Sequence, residues 1–157
     1  VVDIDNEAHI PDAYISNTNE KIRLYREIDR IDSETEMDRM RIMLEDRFGK
    51  IPQPTEELMN VVLLRKRSMA LGFEKAIVKN GYFIVHFIAN PASPYYSTGL
   101  FNGILKFVSE KGENYKVKQT GSRLLLSIRG VRNSKEALEI LKEMEKAAIA
   151  YERDGKN

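Results

Sequence analysis

The stretch at residues 74–89, EKAIVKNGYFIVHFIA, marks the point where the chain changes from helical to strand-like sequence. β-Branched and aromatic residues, which favour extended backbone, lie on both sides of Asn80-Gly81. Asn-Gly is the strongest short-range signal for a two-residue hairpin turn, because both residues tolerate the positive φ that this turn requires. The stretch therefore predicts a β-hairpin. It divides the chain into a helical part that ends near Gly72 and a strand-rich part that follows.

Three amphipathic helices are predicted before this hairpin. Residues 1–16 carry no sustained period and are predicted to form an extended arm, after which apolar residues recur at helical spacing three times. Side chains that can cap the amino ends of these helices are Asn17 or Thr18, Ser33 in a capping-box spacing with Glu36, and Thr55. Glycines mark the ends of the last two, at Gly49 before Pro52 and Pro54 and at Gly72.

The sequence after the hairpin predicts another helix, two more strands and a last helix. These segments are residues 98–110, YKVKQ, RLLLSIRG, and a helix that begins near Asn133 or Ser134. We therefore predict an α+β fold, in which an amino-terminal helical part precedes a ββαββα unit whose mainly antiparallel sheet is covered by helices. Residues 1–72 form the arm and three-helix part and residues 73–157 form the α+β part, and we expect one compact domain.

The composition excludes several classes of protein. The chain has no cysteine, so it holds no disulfide framework, thiolate zinc site or cysteine nucleophile, which suits a reducing cytoplasm. No window approaches the roughly 18 uncharged apolar residues that a membrane-spanning helix needs. We expect a cytoplasmic protein without a membrane partner. A start at Val1-Val2 that runs directly into charged, irregular sequence is what a piece of a longer chain would show, and we expect a fragment.

The motifs of catalysis and cofactor binding are missing. His9 in the arm and His86 in a predicted strand are the only histidines, and they are not spaced as metal ligands. The chain contains neither glycine-rich phosphate-binding motif and no G-x-S-x-G nucleophile elbow. An enzyme that uses surface carboxylates would need a convergent pocket, which the pattern does not indicate. We therefore predict no catalytic residue, no cofactor and no metal.

The charges are distributed unevenly along the chain. Residues 1–60 carry 8 Lys and Arg against 15 Asp and Glu, whereas residues 61–132 carry 12 against 3. The acidic and basic parts could be two solvated surfaces, could attract each other within the domain, or could meet different partners. In the second case, Arg65 and Arg67 would pair with the acidic front half.

The basic middle of the chain allows an alternative function, which is weak DNA binding without sequence specificity. Its cations would contact phosphates, while Tyr95, Tyr96 and Phe101 could stack on bases. Aromatic residues inside apolar periods are more often part of a core than of a binding surface. DNA is therefore the second candidate partner.

The end of the second predicted helix carries a mixed patch. At 100° per residue, Asp46 points almost opposite the apolar stripe and shares its outer side with Arg39, Ile42 and Met43. Charged and apolar residues on an outer side are typical of a protein contact surface, although the third helix could cover the apolar pair. The helix dipole explains a cation at Arg47 but disfavours an anion at Asp46. We predict a partner-binding site at Arg39, Ile42, Met43, Asp46 and Arg47.

Two long segments of the chain resemble a known family. They look like the carboxy-terminal domain of bacterial transcription-repair coupling factors (Mfd). The two segments are HIPDAYISNTNEKIRLYREI at residues 9–28 and LEDRFGKIPQPTEELMNVVLLRKRSMALGFEKA at residues 44–76. The specific part is Asp-Arg-Phe-Gly at residues 46–49, followed by Pro52. The likeness in pattern extends over nearly the whole chain.

This resemblance implies a function that the residues alone do not give. The parent protein of the family is an ATP-driven DNA translocase that removes stalled RNA polymerase and recruits the repair protein UvrA. Its carboxy-terminal domain docks on the amino-terminal UvrB-like module of the same chain, masks UvrA binding there and restrains the motor, so the implied role is autoinhibitory. ATP would bind the parent's motor and not this chain. Asp46 and Arg47 match the family's contact residues, whereas Met43 stands where relatives carry an acidic residue.

Overall fold

The computed structural model describes residues 1–155, which form five α-helices and a five-stranded sheet. The strands are β1 (Val2–Ile4), β2 (Lys75–Lys79), β3 (Tyr82–His86), β4 (Tyr115–Thr120) and β5 (Arg123–Arg129). The α-helices are α1 (Thr18–Arg30), α2 (Glu34–Phe48), α3 (Gln53–Ala70), α4 (Gly99–Ser109) and α5 (Ser134–Asp154), and a 3-10 helix covers Pro94–Ser97. This order confirms the predicted α+β fold, with three helices before a ββαββα unit.

The strands form one mixed sheet in the order β1-β2-β3-β5-β4. Each neighbouring pair is antiparallel except β1 and β2. The β2–β3 turn is the one that the Asn-Gly pair predicts, because Asn80 and Gly81 have φ values of 54° and 80°. Alternate strand residues on one face pack with α4, α5 and the end of α3, and they include Ala76, Val78, Phe83, Val85, Leu126 and Ile128.

The amino-terminal arm adds a strand that the sequence pattern does not predict. β1 lies parallel to β2 at the edge of the sheet, and the Ala76 N–H donates to the Val1 carbonyl oxygen at 2.9 Å. Because β1 is only three residues long, it is too short to show an alternating pattern. The sheet therefore has five strands, where the pattern predicts four.

Helix caps are accurate local predictions in three places and wrong in one. The side chains of Asn17, Ser33 and Asn133 each accept a hydrogen bond from the backbone N–H three residues further on. The prediction for Thr55 is wrong, because α3 begins after Pro52 and Thr55 is buried in its first turn. The Thr55 hydroxyl donates to the carbonyl oxygen of His9 at 3.0 Å, so this residue fastens the arm to α3.

Two hydrophobic clusters make up the interior. The helical cluster joins the arm, α1, α2 and α3, and the sheet cluster joins the sheet with α4 and α5. Helix α3 supplies residues to both, with Met59 in the helical cluster and Leu64 in the sheet cluster. Helix α5, which packs mainly in the sheet cluster, contributes Leu138 to the helical cluster. The elements on either side of the sequence boundary near Gly72 therefore contribute side chains to each other's cluster.

Candidate functional site on the second helix

The outer side of α2 is open to solvent. Met37 and Leu44 on its inner side are fully buried, whereas Arg39, Ile42 and Asp46 are exposed. Ile42 keeps 70% of its surface exposed, and among the large apolar side chains of residues 1–155 only that of Val1 is more exposed. Helix α3 therefore leaves Ile42 uncovered, and the side chain stands in water as an apolar group without a partner.

Met43 lies at the margin of this surface. It is half-buried and packs against the helical cluster. The reason is geometric, because one residue after Ile42 the helix has turned by 100°, which brings Met43 towards the buried stripe. The exposed part of the predicted site is therefore narrower than the helical pattern indicates, and it consists of Arg39, Ile42 and Asp46 with Arg47 beside them.

Asp46 presents a carboxylate without an ion pair. Ile42 lies one turn before it on the same side of α2. In the described part of the chain, no Lys or Arg nitrogen comes within 4.0 Å of the Asp46 carboxylate. The carboxylates of Asp38 and Glu56 near the same helix differ, because each has an arginine nitrogen within that distance. The carboxyl end of a helix repels an anion weakly. Within residues 1–155 no cation pairs with this carboxylate, so it remains available as a hydrogen-bond acceptor.

Arg47 is held by α1. Its Nη2 donates a hydrogen bond to Glu20 Oε1 at 2.6 Å, and its Cζ lies 4.8 Å from the centroid of the Phe48 ring. Asp46 and Arg47 are neighbours in the sequence but point to different sides of α2, since 100° separates them. The structure therefore brings Arg39, Ile42 and Asp46 together and places Arg47 between α1 and α2.

Contacts with the arm and with α3 fix α2 in place. The Tyr14 hydroxyl lies 3.2 Å from the Leu44 carbonyl oxygen and 2.9 Å from that of Gly49, so it can donate to either at the end of the helix. Burial, with added repulsion from nearby carboxylates, raises the pKa of Tyr14, which keeps this donor protonated. Arg41 donates from Nε to Glu56 Oε2 on α3 at 3.0 Å.

The sequence pattern does not mark these supporting residues. Tyr14 belongs to the Ile-Pro-Asp-x-Tyr segment on which the family resemblance rests, so that motif carried a signal for it. Arg41 and Glu20 lie on polar helix faces, and their pairing depends on how the helices cross. A single sequence does not contain that information.

The described residues contain no group of three or more His, Asp or Glu side chains that could hold a metal ion. His86 is the last residue of β3, where the Arg123 guanidinium donates from Nη1 to its Nδ1 at 2.9 Å. No helix within residues 1–155 is both long enough and apolar enough to cross a bilayer.

Comparison with known proteins identifies the family. The sequence profile of the TRCF domain matches residues 4–98, which is more than half of the chain. The chain belongs to the TRCF domain family. The transcription-repair-coupling factor of Rickettsia prowazekii (strain Madrid E) is 30% identical over 109 residues, which are 69% of this TRCF domain and 9% of that protein. That of Escherichia coli (strain K12) is 25% identical over 146 residues, which are 90% of the chain and 12% of the protein.

A solved structure shares the fold of this TRCF domain. The crystal structure of the C-terminal domain of a transcription-repair coupling factor superposes with a TM-score of 0.78 and covers 98% of this chain and 94% of that one, at 19% identity. The chain spans about a tenth of the length of the two relatives. These findings confirm the resemblance drawn from the sequence.

Proposed function

We propose that this TRCF domain is a non-catalytic regulatory domain of an ATP-driven DNA translocase in transcription-coupled repair. It docks on the UvrB-like module at the amino end of its parent chain, masks the surface that binds UvrA and restrains the motor. The observation that supports this proposal is the outer side of α2, where the exposed Ile42 lies beside the unpaired Asp46 carboxylate. In this proposal ATP is bound elsewhere in the parent chain, and the protein acts in the cytoplasm.

The chemistry of the patch suits a small, reversible contact. Ile42 provides an apolar anchor, and Asp46 accepts a charge-assisted hydrogen bond from an Arg or Lys of the partner. Arg39, at the margin, contributes mainly to the rate and orientation of docking, because a rim charge remains hydrated. A contact of this kind is strong enough to hold a tethered module and weak enough to release it.

Arg47 contributes from its position between α1 and α2. A guanidinium has five N–H donors, and the Glu20 contact uses only part of them. Arg47 therefore binds partner oxygens without leaving α1. Met43 replaces the acidic residue of relatives and is half-buried, so it adds no charge to this contact. The clamp in this protein accordingly depends on one carboxylate at this site.

The regulation is a shift of population between a closed and an open state. In the parent chain the two modules are tethered, so a modest affinity suffices to keep them together. A preference of a few kcal/mol for the closed state leaves the UvrA-competent state rare. Engagement of RNA polymerase then opens the clamp by binding the open state more tightly.

The experiment that tests the proposal is a calorimetric titration of this domain into the separately produced amino-terminal module. We expect saturable binding that weakens at least tenfold in Asp46→Ala and in Ile42→Ala. Glu45→Ala is the matched control, because Glu45 is an exposed carboxylate on the same turn but on another side. Binding that tolerates both patch variants would move the site elsewhere. Absence of binding at roughly millimolar concentrations, which mimic the tether, would refute the autoinhibitory role.

A further inference from the structure

The sheet exposes a basic face on the side opposite to the sheet cluster. Strand residues that alternate with the buried ones carry six cationic side chains, and we call this surface the basic sheet face: Lys75, Lys79, Lys116, Lys118, Arg123 and Arg129. The register places them on β2, β4 and β5, around the exposed Tyr82 of β3. The face shares no residue with the patch on α2.

The cations of α3 and those of the basic sheet face differ in how they are paired. On α3, Arg65 pairs with Asp29 at 2.5 Å and Arg67 with Glu145 at 3.1 Å, so these charges are neutralised within the domain. On the basic sheet face, Lys79 pairs with Asp3 at 2.9 Å. Its other five cations have no carboxylate within 4.0 Å among the residues from Val1 to Gly155. Five cations of residues 61–132 without an ion pair therefore lie together on one side of the sheet.

The centre of the basic sheet face is apolar. Ile77, Ile84 and Leu125 are half-buried between the longer cationic side chains. Beside them, Ser127 lies in a depression that is lined by Tyr82, Asn114, Lys116, Lys118 and Arg129, with Glu113 also at its edge. Lys116 and Lys118 are two residues apart on an edge strand, so about 6.7 Å of strand separates them. Tyr82, which is 40% exposed, thus lies next to the three cationic side chains of this depression.

The aromatic residues of the 3-10 segment and of the start of α4 pack against the sheet cluster and not on the basic sheet face. Tyr95, Tyr96 and Phe101 pack on one another and around Phe87, with ring centroids 4.9 to 6.4 Å apart. Phe101 is 8% exposed, and the Tyr95 hydroxyl donates to the Leu71 carbonyl oxygen at 2.7 Å. Tyr95 and Tyr96 are half-buried against the sheet cluster, on the other side of the sheet from the cations, and base stacking by the three rings stays a prediction. Tyr82 is the ring that the basic sheet face offers.

We propose that the basic sheet face binds single-stranded nucleic acid, with Lys116, Lys118 and Arg129 on phosphates and Tyr82 stacked on a base. Five unpaired cations on one face favour a polyanion, and an exposed ring beside them adds the stacking that a base supplies and an acidic peptide does not. The exposed ring favours a single strand over a duplex, because the bases of a duplex are stacked on one another whereas unpaired bases can stack on a side chain.

The test is fluorescence anisotropy of a labelled 20-nucleotide single strand of mixed sequence, titrated with the whole chain at 50 mM salt. We expect saturable binding that loses at least tenfold in affinity in Lys116→Glu/Lys118→Glu and about tenfold in Tyr82→Ala. Three contacted phosphates predict a loss of roughly 20-fold between 50 and 200 mM salt. The matched control is Lys135→Glu/Lys146→Glu, because both lysines are exposed on α5 and make no ion pair within residues 1–155.

Each other result contradicts the proposal. No anisotropy change at about 100 μM protein, or equal losses in the test and control variants, would refute a site on this face. If the matched duplex bound as tightly as the single strand, the single-strand preference would be refuted. If poly-glutamate bound as tightly, the face would be a site for an acidic protein. Thermal unfolding of each variant separates loss of binding from loss of fold. Asp46→Ala must bind the strand normally, so failure here is distinguishable from failure of the docking proposal.

Discussion

Arg47 joins the last turn of α2 to the first turn of α1, since its Nη2 donates to Glu20 Oε1 at 2.6 Å. Glu20 also lies 3.5 Å from Arg23 Nη2, so the carboxylate is shared between two guanidiniums. A residue that the sequence places in a docking site therefore also bridges two helices. The contact with Glu20 restrains the guanidinium whose remaining N–H donors would bind the partner, and the effect of this restraint on docking can be measured.

Glu20→Gln should tighten docking on the amino-terminal module about threefold. The change removes the charge that holds Arg47 and leaves the guanidinium freer to bind the partner. The domain itself should lose no more than about 1 kcal/mol, because the pair is partly exposed. Calorimetric titration and urea unfolding give the two numbers. Glu27→Gln is the control, because it removes a half-buried carboxylate that pairs with Arg23 on the same helix. Weaker docking of Glu20→Gln would show that Arg47 does not contact the partner.

Tyr14→Phe should lower the free energy of unfolding by about 1 kcal/mol. The variant removes the hydroxyl that lies within reach of the Leu44 and Gly49 carbonyl oxygens and leaves the ring against Phe48, 5.8 Å away between centroids. Urea unfolding measures the loss. Tyr82→Phe is the control, because the Tyr82 hydroxyl makes no hydrogen bond within the described residues. Equal effects of the two changes would argue against the arm's role in holding α2.

Gly72→Ala should destabilise the domain by about 2–4 kcal/mol. Gly72 has φ of +84°, and an added Cβ would overlap the Tyr95 ring. That ring cannot move away easily, because its hydroxyl is bonded to the Leu71 carbonyl oxygen. Gly112→Ala is the matched control, since the space around Gly112 is open and its φ is not positive. Thermal unfolding should show a large fall in Tm for the first variant and almost none for the second.

Glu57→Gln should stabilise the domain at pH 7. Glu57 is 4% exposed, and burial raises the pKa of its carboxyl above the ordinary value, although Asn6 donates to Oε2 at 3.2 Å. At pH values just above the ordinary pKa of this carboxyl, the native state therefore binds more protons than the unfolded state. The free energy of unfolding accordingly falls as the pH rises through those values. The variant should have a higher Tm at pH 7 and a flatter dependence of Tm on pH above 4.5.

A control for this prediction is Glu45→Gln, which changes an exposed carboxylate on α2. Its Tm should follow the wild-type profile. If Glu57→Gln lowers Tm at pH 7 while the control does not, the carboxylate is stabilised by its surroundings, and the sign of the pKa shift is wrong.

Features that depend on neighbouring residues were predictable from the sequence. Asn80-Gly81 fixed a hairpin, and Ser33 and Asn133 fixed two helix starts, because a turn or a cap is decided within a few residues. The outward position of Asp46 followed from helix geometry alone. The fold class followed from the order of these local elements.

Features that depend on distant residues were not predictable. β1 is a strand because β2, more than 70 residues later, offers it an edge. Arg47 turns to α1 because Glu20 is there, and Met43 is half-buried because the helical cluster extends beneath it. The pairing of Arg65 and Arg67 with acidic residues, which the sequence left open, likewise depends on how α3 packs against its neighbours.

Because α3 lines both interior clusters, the domain should behave as a single cooperative unit. Cutting the chain near Gly72 would leave Leu64 of α3 and Leu138 of α5 facing water, so neither piece would keep its fold. The slowest-exchanging amides of α3 and of the sheet should then report the same opening energy. A partner that binds the outer side of α2 would thereby stabilise strands that it does not touch.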